Sequence, residues 1–163
     1  MKYKSFDYYN PLTWIALGFG SGLSPVAPGT TGSFLAVCIY YFLINPFILE
    51  PIDFIFFLIF VFGSYVLGIF AHDKVVGKEK DPSYFVWDEF VGIWIACIPL
   101  FFIKNDFLYL FLSFLIFRFL DIFKPWPIIF FDQKEGSKGV MLDDVLAGLI
   151  TIPASLLIFL LIS

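Results

Sequence analysis

Long stretches without any charged side chain alternate with short polar segments along this chain. The uncharged stretches are Tyr8–Leu49, Phe54–Ala71, Phe90–Ile103, Phe107–Phe117 and Val145–Ser163. A straight helix needs roughly 20 apolar residues to cross the hydrocarbon layer of a membrane, although somewhat fewer can serve. The pattern therefore predicts membrane-spanning helices over Phe54–Ala71 and Val145–Ser163.

The first uncharged stretch is too long for one helix, and a Gly/Pro-rich segment interrupts it. This segment, SGLSPVAPGTTGS, contains Pro25 and Pro28, which prevent a continuous helix. We predict a short helix over Leu12–Leu23, an irregular loop, and a second helix from about Gly32 to Ile44. Lipid cannot satisfy irregular backbone, so such backbone must be buried in protein or line a wet cavity. The loop is therefore expected to form part of a site.

The two central stretches are short and predict a helical hairpin. Phe90–Ile103 and Phe107–Phe117 are separated by Lys104-Asn105-Asp106. No linker or internal repeat divides the chain. The expected fold is a single domain over residues 1–163: an all-α, compact membrane protein of about six helices, with the Gly/Pro-rich loop between the first two.

The positions of the basic residues predict how the chain is oriented. All of the ten basic residues except Lys104 precede the first helix or lie in segments 72–89 and 118–144. By the positive-inside rule these regions share the cytoplasmic face, provided that Leu12–Leu23 does not cross. The chain is then a multi-pass protein, and nearly every acidic residue faces the cytoplasm together with the Gly/Pro-rich loop.

Composition supports the membrane assignment and excludes a nucleic-acid partner. Hydrophobic residues make up 60% of the chain and charged residues 15%, with 24 phenylalanines. The mean hydropathy is +0.91. Such a chain belongs in a bilayer. With a net charge of −4 and a pI near 4.7, the chain lacks the basic surface that binding to nucleic acid requires.

Carboxylates placed directly beside apolar helices are the main candidate chemistry. They are Asp88, Glu89, Asp121, Asp143 and Asp144. The two adjacent pairs, in VWDEFVG and MLDDVLAG, are each followed one turn later by a glycine (Gly92 and Gly148) that allows close helix approach. Such acids repel one another unless a cation lies between them, and oxygen-only ligands favour Mg²⁺, with Mn²⁺ as a substitute. The alternative is that they only cap helices.

Candidate phosphate-binding groups accompany these acids. Arg118 lies three residues before Asp121, and Lys124 follows one turn after that acid. Arginine offers a planar fork for phosphate oxygens, although a simple ion pair between Arg118 and Asp121 is an equal alternative. The Gly/Pro-rich segment adds backbone amides and hydroxyls suited to an anion, against the alternative of a purely architectural hinge. The hydroxyls proposed to bind phosphate are those of Ser21, Ser24, Thr30 and Thr31.

Four segments together resemble the motifs of the bacterial phosphatidylglycerophosphatase A family. In chain order they are GFGSGLSPVAPGTTGS, DPSYFVWDEFVGIWIA, FRFLDIFKPWPI and GVMLDDVLAGL. The resemblance implies an all-α, Mg²⁺-dependent enzyme of the bacterial cytoplasmic membrane. It would remove the terminal phosphate of phosphatidylglycerophosphate to give phosphatidylglycerol in phospholipid biosynthesis. The family's acidic positions correspond to Asp88, Glu89, Asp121, Asp143 and Asp144, which we expect to hold metal and to serve catalysis.

Two other classes of function remain as alternatives at this point. An ion- or proton-coupled transporter also places acids beside membrane helices, but more often near the middle of the membrane and in repeated halves. A non-catalytic scaffold explains the apolar helices but not two pairs of carboxylates. Metal-centred hydrolysis of a lipid phosphate is the expectation that the residues favour.

Overall fold

The computed structural model describes residues 6–77, 79, 81–103 and 107–162, and this part of the chain contains helices and no strand. The all-α prediction is confirmed. The α-helices are α1 (Pro11–Ala16), α2 (Pro28–Ile39), α3 (Pro51–Ala71), α4 (Trp87–Ala96), α5 (Leu100–Ile103), α6 (Phe107–Phe123), α7 (Ile128–Asp132) and α8 (Ser137–Ile162).

The segment before α2 corrects two predicted boundaries. A single helix over Leu12–Leu23 was expected, but α1 ends at Ala16 and a 3₁₀ segment, Gly18–Leu23, follows it with a kink at Phe19 and Gly20. Helix α2 was expected to start near Gly32, yet it starts at Pro28. Proline is well suited to the first position of a helix, because its φ is already helical and its missing N–H leaves no bond unmade.

Three helical segments are long and apolar enough to cross a membrane in the part of the chain that the structure describes. They are Pro28–Phe47, Pro51–Val76 and Ser137–Ile162. The first two extend α2 and α3 through short π-helical and 3₁₀ turns. Large apolar side chains such as Phe62 and Leu160 point outward and are 68% and 72% exposed. These surfaces suit contact with lipid rather than with water.

Helix α4 is the centre of the fold. All of its residues are buried except Glu89, whose side chain is 12% exposed although its Oε2 atom is buried. Helix α4 packs most closely against α8. The indole N–H groups of Trp87 and Trp94 donate to the carbonyl oxygens of Ser64 in α3 (2.9 Å) and Ala36 in α2 (3.2 Å). Buried polar groups need such partners, so these bonds fix α2 and α3 against α4.

The predicted hairpin corresponds to α4, α5 and α6, with residues 104–106 outside the described part. Helix α6 ends at Phe123, directly before KPWP, as proline chemistry predicts. Helix α8 begins at Ser137, well before the expected Val145. Asp143 and Asp144 therefore lie about two turns inside a helix rather than at its mouth. Their position inside the helix was not predicted, because the charged residues were taken as the limit of the apolar segment.

Candidate active site

The site is built where α4 and α8 cross, and two glycines set the distance between these helices. A Cβ at Gly148 would collide with the backbone of Gly92, whose carbonyl carbon would lie only 3.1 Å away. The predicted close approach at these glycines is therefore confirmed. Asp88 precedes Gly92 by four residues and Asp144 precedes Gly148 by four, so each acid shares a helix face with its glycine. The contact brings the two carboxylates together.

Three buried carboxylates converge at this crossing. One oxygen from each of Asp88, Glu89 and Asp144 can be chosen so that all lie within 4.8 Å of one another. Asp88 and Asp144 are 6% and 3% exposed. We call this set the three-acid cluster. The Oε2 atom of Glu89 is buried and has no hydrogen-bond partner among the described residues.

Burial and mutual repulsion disfavour the charged forms of these acids. Burial, followed by the charges of Glu89 and Asp144, raises the pKa of Asp88 well above its usual range. Burial also raises the pKa of Glu89 to about 7, although its hydrogen bond with Asp88 acts in the opposite direction. Buried carboxyl groups with raised pKa values take up protons unless a cation takes the place of those protons.

Arg118 connects the cluster to the start of α2. Its Nη1 pairs with Asp121, lies 3.7 Å from Oε1 of Glu89, and donates to the hydroxyl of Ser33 at 3.2 Å. The ion pair between Arg118 and Asp121, one of the two alternatives for Arg118, is therefore present. A Cβ at Gly29 would meet the Glu89 carboxylate and come within 3.1 Å of the Arg118 guanidinium. The first turn of α2 thus lies directly against the site.

Lys124 forms a second cationic centre beside the cluster. Its Nζ donates to Asp132 of α7 at 2.5 Å and to Asp143 of α8 at 2.6 Å. Burial alone lowers the pKa of Lys124, but the nearby Asp143 and the bond to Asp132 outweigh it and raise the pKa overall. Of the five predicted acids, three thus form the cluster, while the carboxylates of Asp121 and Asp143 contact cations.

The hydroxyls predicted to bind phosphate point largely into their own segment. Those of Ser21, Ser24 and Thr31 donate to the carbonyl oxygens of Gly18, Val26 and Ala27, respectively. Thr30 is half-buried in the first turn of α2. The hydroxyl of Ser33, in the same segment, contacts Arg118.

Sequence reasoning also missed Asp81, Gly29 and Asp132. Asp81 interacts electrostatically with Lys124, Asp132 and Asp121, which places it at the edge of the site. The available signal for Asp81 was its position in DPSY, within one of the four family-like segments. Asp132 follows an apolar run after KPWP, and nothing in the sequence distinguishes it from an ordinary surface acid.

Comparison with known proteins agrees with this arrangement. The family model described as Phosphatidylglycerophosphatase A matches residues 14–159. The chain is 41% identical to phosphatidylglycerophosphatase A of Escherichia coli strain K12 over 87% of this chain and 80% of that protein. It is 38% identical to the Haemophilus influenzae protein of the same name over 90% and 87%. A Bacteroides thetaiotaomicron relative, provisionally named a phosphatidylinositol-3-phosphatase, is 40% identical over 82% and 84%. No solved structure matches significantly.

Three findings define a membrane-associated lipid phosphatase. They are the apolar helices long enough to span a membrane, the buried acids where α4 and α8 cross, and the family matches. The chain belongs to the phosphatidylglycerophosphatase A family. The resemblance noted from its four motifs is thereby confirmed, whereas the comparisons give no support to a transporter.

Proposed function

We propose that this protein hydrolyses the terminal phosphomonoester of phosphatidylglycerophosphate, giving phosphatidylglycerol and inorganic phosphate, and that the reaction depends on Mg²⁺. The observation that carries this proposal is the three-acid cluster, buried at a helix crossing in a member of this family. Relatives named for the same activity share about 40% of their residues with the chain.

The residues of the cluster fit a hard divalent cation. Three buried carboxylates supply only oxygen ligands, as Mg²⁺ and Mn²⁺ prefer. Glu89 leaves one buried oxygen without a partner among the described residues, and a cation would satisfy it. Asp88, Glu89 and Asp144 would hold the ion. Asp121 and Asp143 remain predicted metal ligands, which could bind the ion if their ion pairs with Arg118 and Lys124 open.

The chemistry of the site would then be phosphoryl transfer to water. A bound Mg²⁺ supplies a water of lowered pKa and offsets negative charge on the phosphoryl group. A carboxylate of the cluster accepts a proton as the water oxygen forms its bond to phosphorus. The bond between phosphorus and the glycerol oxygen breaks, and that oxygen leaves with the proton that the carboxylate accepted from water. The helices around Asp88 and Asp144 keep bulk water away from these two carboxylates.

Two groups of this chain are placed to bind the phosphomonoester. Arg118 contacts Glu89, and its buried Nε has no hydrogen-bond partner among the described residues. The first turn of α2 presents backbone N–H groups that have no acceptor within the helix. Gly29 allows this turn to lie against Glu89 and Arg118. The remaining predicted contacts, Ser21, Ser24, Thr30 and Thr31, would take part only by turning from their present partners.

The site would face the cytoplasm in a multi-pass arrangement. Lys74, Arg118, Lys124 and Lys138 lie in segments 72–89 and 118–144, which the positive-inside rule assigns to the cytoplasmic face. The short α1 and the following 3₁₀ segment would lie at the membrane surface, because six residues each cannot span it. The lipid substrate would then approach from the cytoplasmic leaflet.

Phosphorus NMR of the reaction in detergent micelles tests which bond is broken. Phosphatidylglycerophosphate contains one phosphodiester and one phosphomonoester. With purified protein and Mg²⁺, we expect the monoester signal to be replaced by an equal amount of inorganic phosphate while the diester signal remains. Loss of the diester signal, or no reaction by folded protein, would contradict the proposal.

A further inference from the structure

Two cationic side chains lie among the acidic groups of the site, and different carboxylates of this chain hold each of them. Arg118 pairs with Asp121 and approaches Glu89 of the cluster. Lys124 pairs with Asp132 and with Asp143, the chain neighbour of Asp144. From Arg118 to the end of α6 at Phe123 the helix rises about 7.5 Å, and Lys124 follows directly. The site therefore offers two separate positions for negative charge.

The ammonium group of Lys124 keeps one N–H donor for a ligand. An ammonium group has three N–H donors, and the two carboxylates take two of them. The Lys124 side chain is 21% exposed, so the third donor is within reach of a ligand. Its backbone has φ +42°, a conformation that is strained for a residue other than glycine. Such backbone strain is typical of functional positions, and here it places the ammonium between α7 and α8.

The lipid of the proposed reaction carries two phosphates of different kinds. Its phosphodiester has one negative charge, and its terminal phosphomonoester has up to two. A phosphatidylinositol phosphate, the kind of lipid in the name of the third relative, has the same two groups. Phosphatidic acid, in contrast, has a phosphomonoester alone. A site with two cationic positions can distinguish these two classes of lipid.

We propose that Lys124 binds the phosphodiester of the substrate while the phosphomonoester lies at the three-acid cluster, in contact with Arg118. Lys124 is then a specificity-determining residue that selects lipids whose phosphomonoester is carried by a headgroup beyond a phosphodiester. This inference rests on the proposed function, because it assumes that the cluster is where the monoester is hydrolysed. Asp132 and Asp143 hold the ammonium in place and keep it from the cluster itself.

The test compares phosphate release from phosphatidylglycerophosphate and from phosphatidic acid with matched acyl chains in the same micelles. The wild-type protein is expected to show a kcat/KM that is about 10- to 100-fold higher for the two-phosphate lipid, the usual effect of one hydrogen bond to a charged group. Lys124→Met should remove most of this preference. Lys124→Arg should keep it, and Lys138→Met, a change at an exposed lysine, should leave it unaltered.

The ratio of the two kcat/KM values is the readout, because loss of Lys124 also leaves Asp143 unpaired and lowers both rates. If Lys124→Met does not fold, Lys124→Gln, which retains donors for Asp143 but no charge, replaces it with the same expected fall in the ratio. A wild-type ratio near one, or a ratio unchanged in the folded variant, would overturn this inference and leave the proposed function intact. No release from either lipid by folded wild-type protein would overturn both.

Discussion

Asp144→Asn is expected to lower kcat for phosphate release about 10³-fold. Asp144 is one of the three buried acids of the cluster, and asparagine removes its negative charge while keeping its size. A metal ion and its bound water contribute several kcal/mol to such reactions, and about 4 kcal/mol corresponds to this factor. The measurement is the initial rate with saturating Mg²⁺ and lipid, beside Asp73→Asn, which changes an exposed acid and should leave the rate unaltered.

A stability measurement separates this loss from misfolding. Without Mg²⁺, Asp144→Asn removes one of three mutually repelling carboxylates, so its unfolding midpoint in detergent should equal or exceed that of the wild type. Mg²⁺ should raise the midpoint of the wild type, because a ligand that binds only the folded state stabilises it, and should raise that of the variant less. Wild-type activity in Asp144→Asn would remove this residue from the site.

Gly148→Val is expected to destabilise the fold by about 3 kcal/mol or more, the upper end of the usual cost of overpacking. The first added carbon would already collide with the backbone of Gly92. Backbone cannot move aside as a flexible side chain can, so α4 and α8 must separate. Their separation would also draw Asp144 away from Asp88 and abolish activity.

A graded series checks this prediction. Gly148→Ala should be intermediate between the wild type and Gly148→Val in unfolding midpoint and in rate. Gly63→Val is the matched control, because a Cβ at Gly63 in α3 would meet nothing within 4 Å. If Gly148→Val unfolds at the wild-type temperature and retains full activity, the crossing does not set the geometry of the site.

The general architecture could be predicted from the sequence because it follows from burial alone. Uncharged stretches of sufficient length predicted the apolar helices, and proline chemistry explains why α6 ends directly before KPWP. The glycines that follow the acid pairs predicted the close crossing, because Gly92 and Gly148 lie one turn from Asp88 and Asp144. These signals are local, and each depends on one physical rule.

Helix starts were less predictable, since the same residues serve two purposes. Gly29 was taken as part of an irregular loop and Gly32 as the start of a helix, but both lie inside α2. Their missing side chains make room for partners outside the helix. A Cβ at Gly32 would come within 2.8 Å of Val86, and one at Gly29 would meet the site itself. Propensity alone does not contain such tertiary contacts.

The partners of the charged groups were the least predictable part of the site. The sequence placed five acids beside helices, but the direction of each side chain depends on how the helices pack. Asp143 and Asp144 are adjacent, yet their directions on α8 differ by about 100°. Asp144 therefore faces the cluster, and Asp143 faces Lys124. The pairing of Lys124 with Asp132 depends on the path of the chain after KPWP, which local rules do not determine.

Removal and return of the metal tests the central claim most directly. Purified wild-type protein in detergent micelles would be treated with EDTA, and phosphate release from phosphatidylglycerophosphate measured before and after excess Mg²⁺ or Mn²⁺ is added. The three-acid cluster predicts that activity falls to background in EDTA and returns with either ion, while circular dichroism shows the same helical content throughout. Full activity in EDTA would contradict a divalent cation at this cluster and place the chemistry of the enzyme elsewhere.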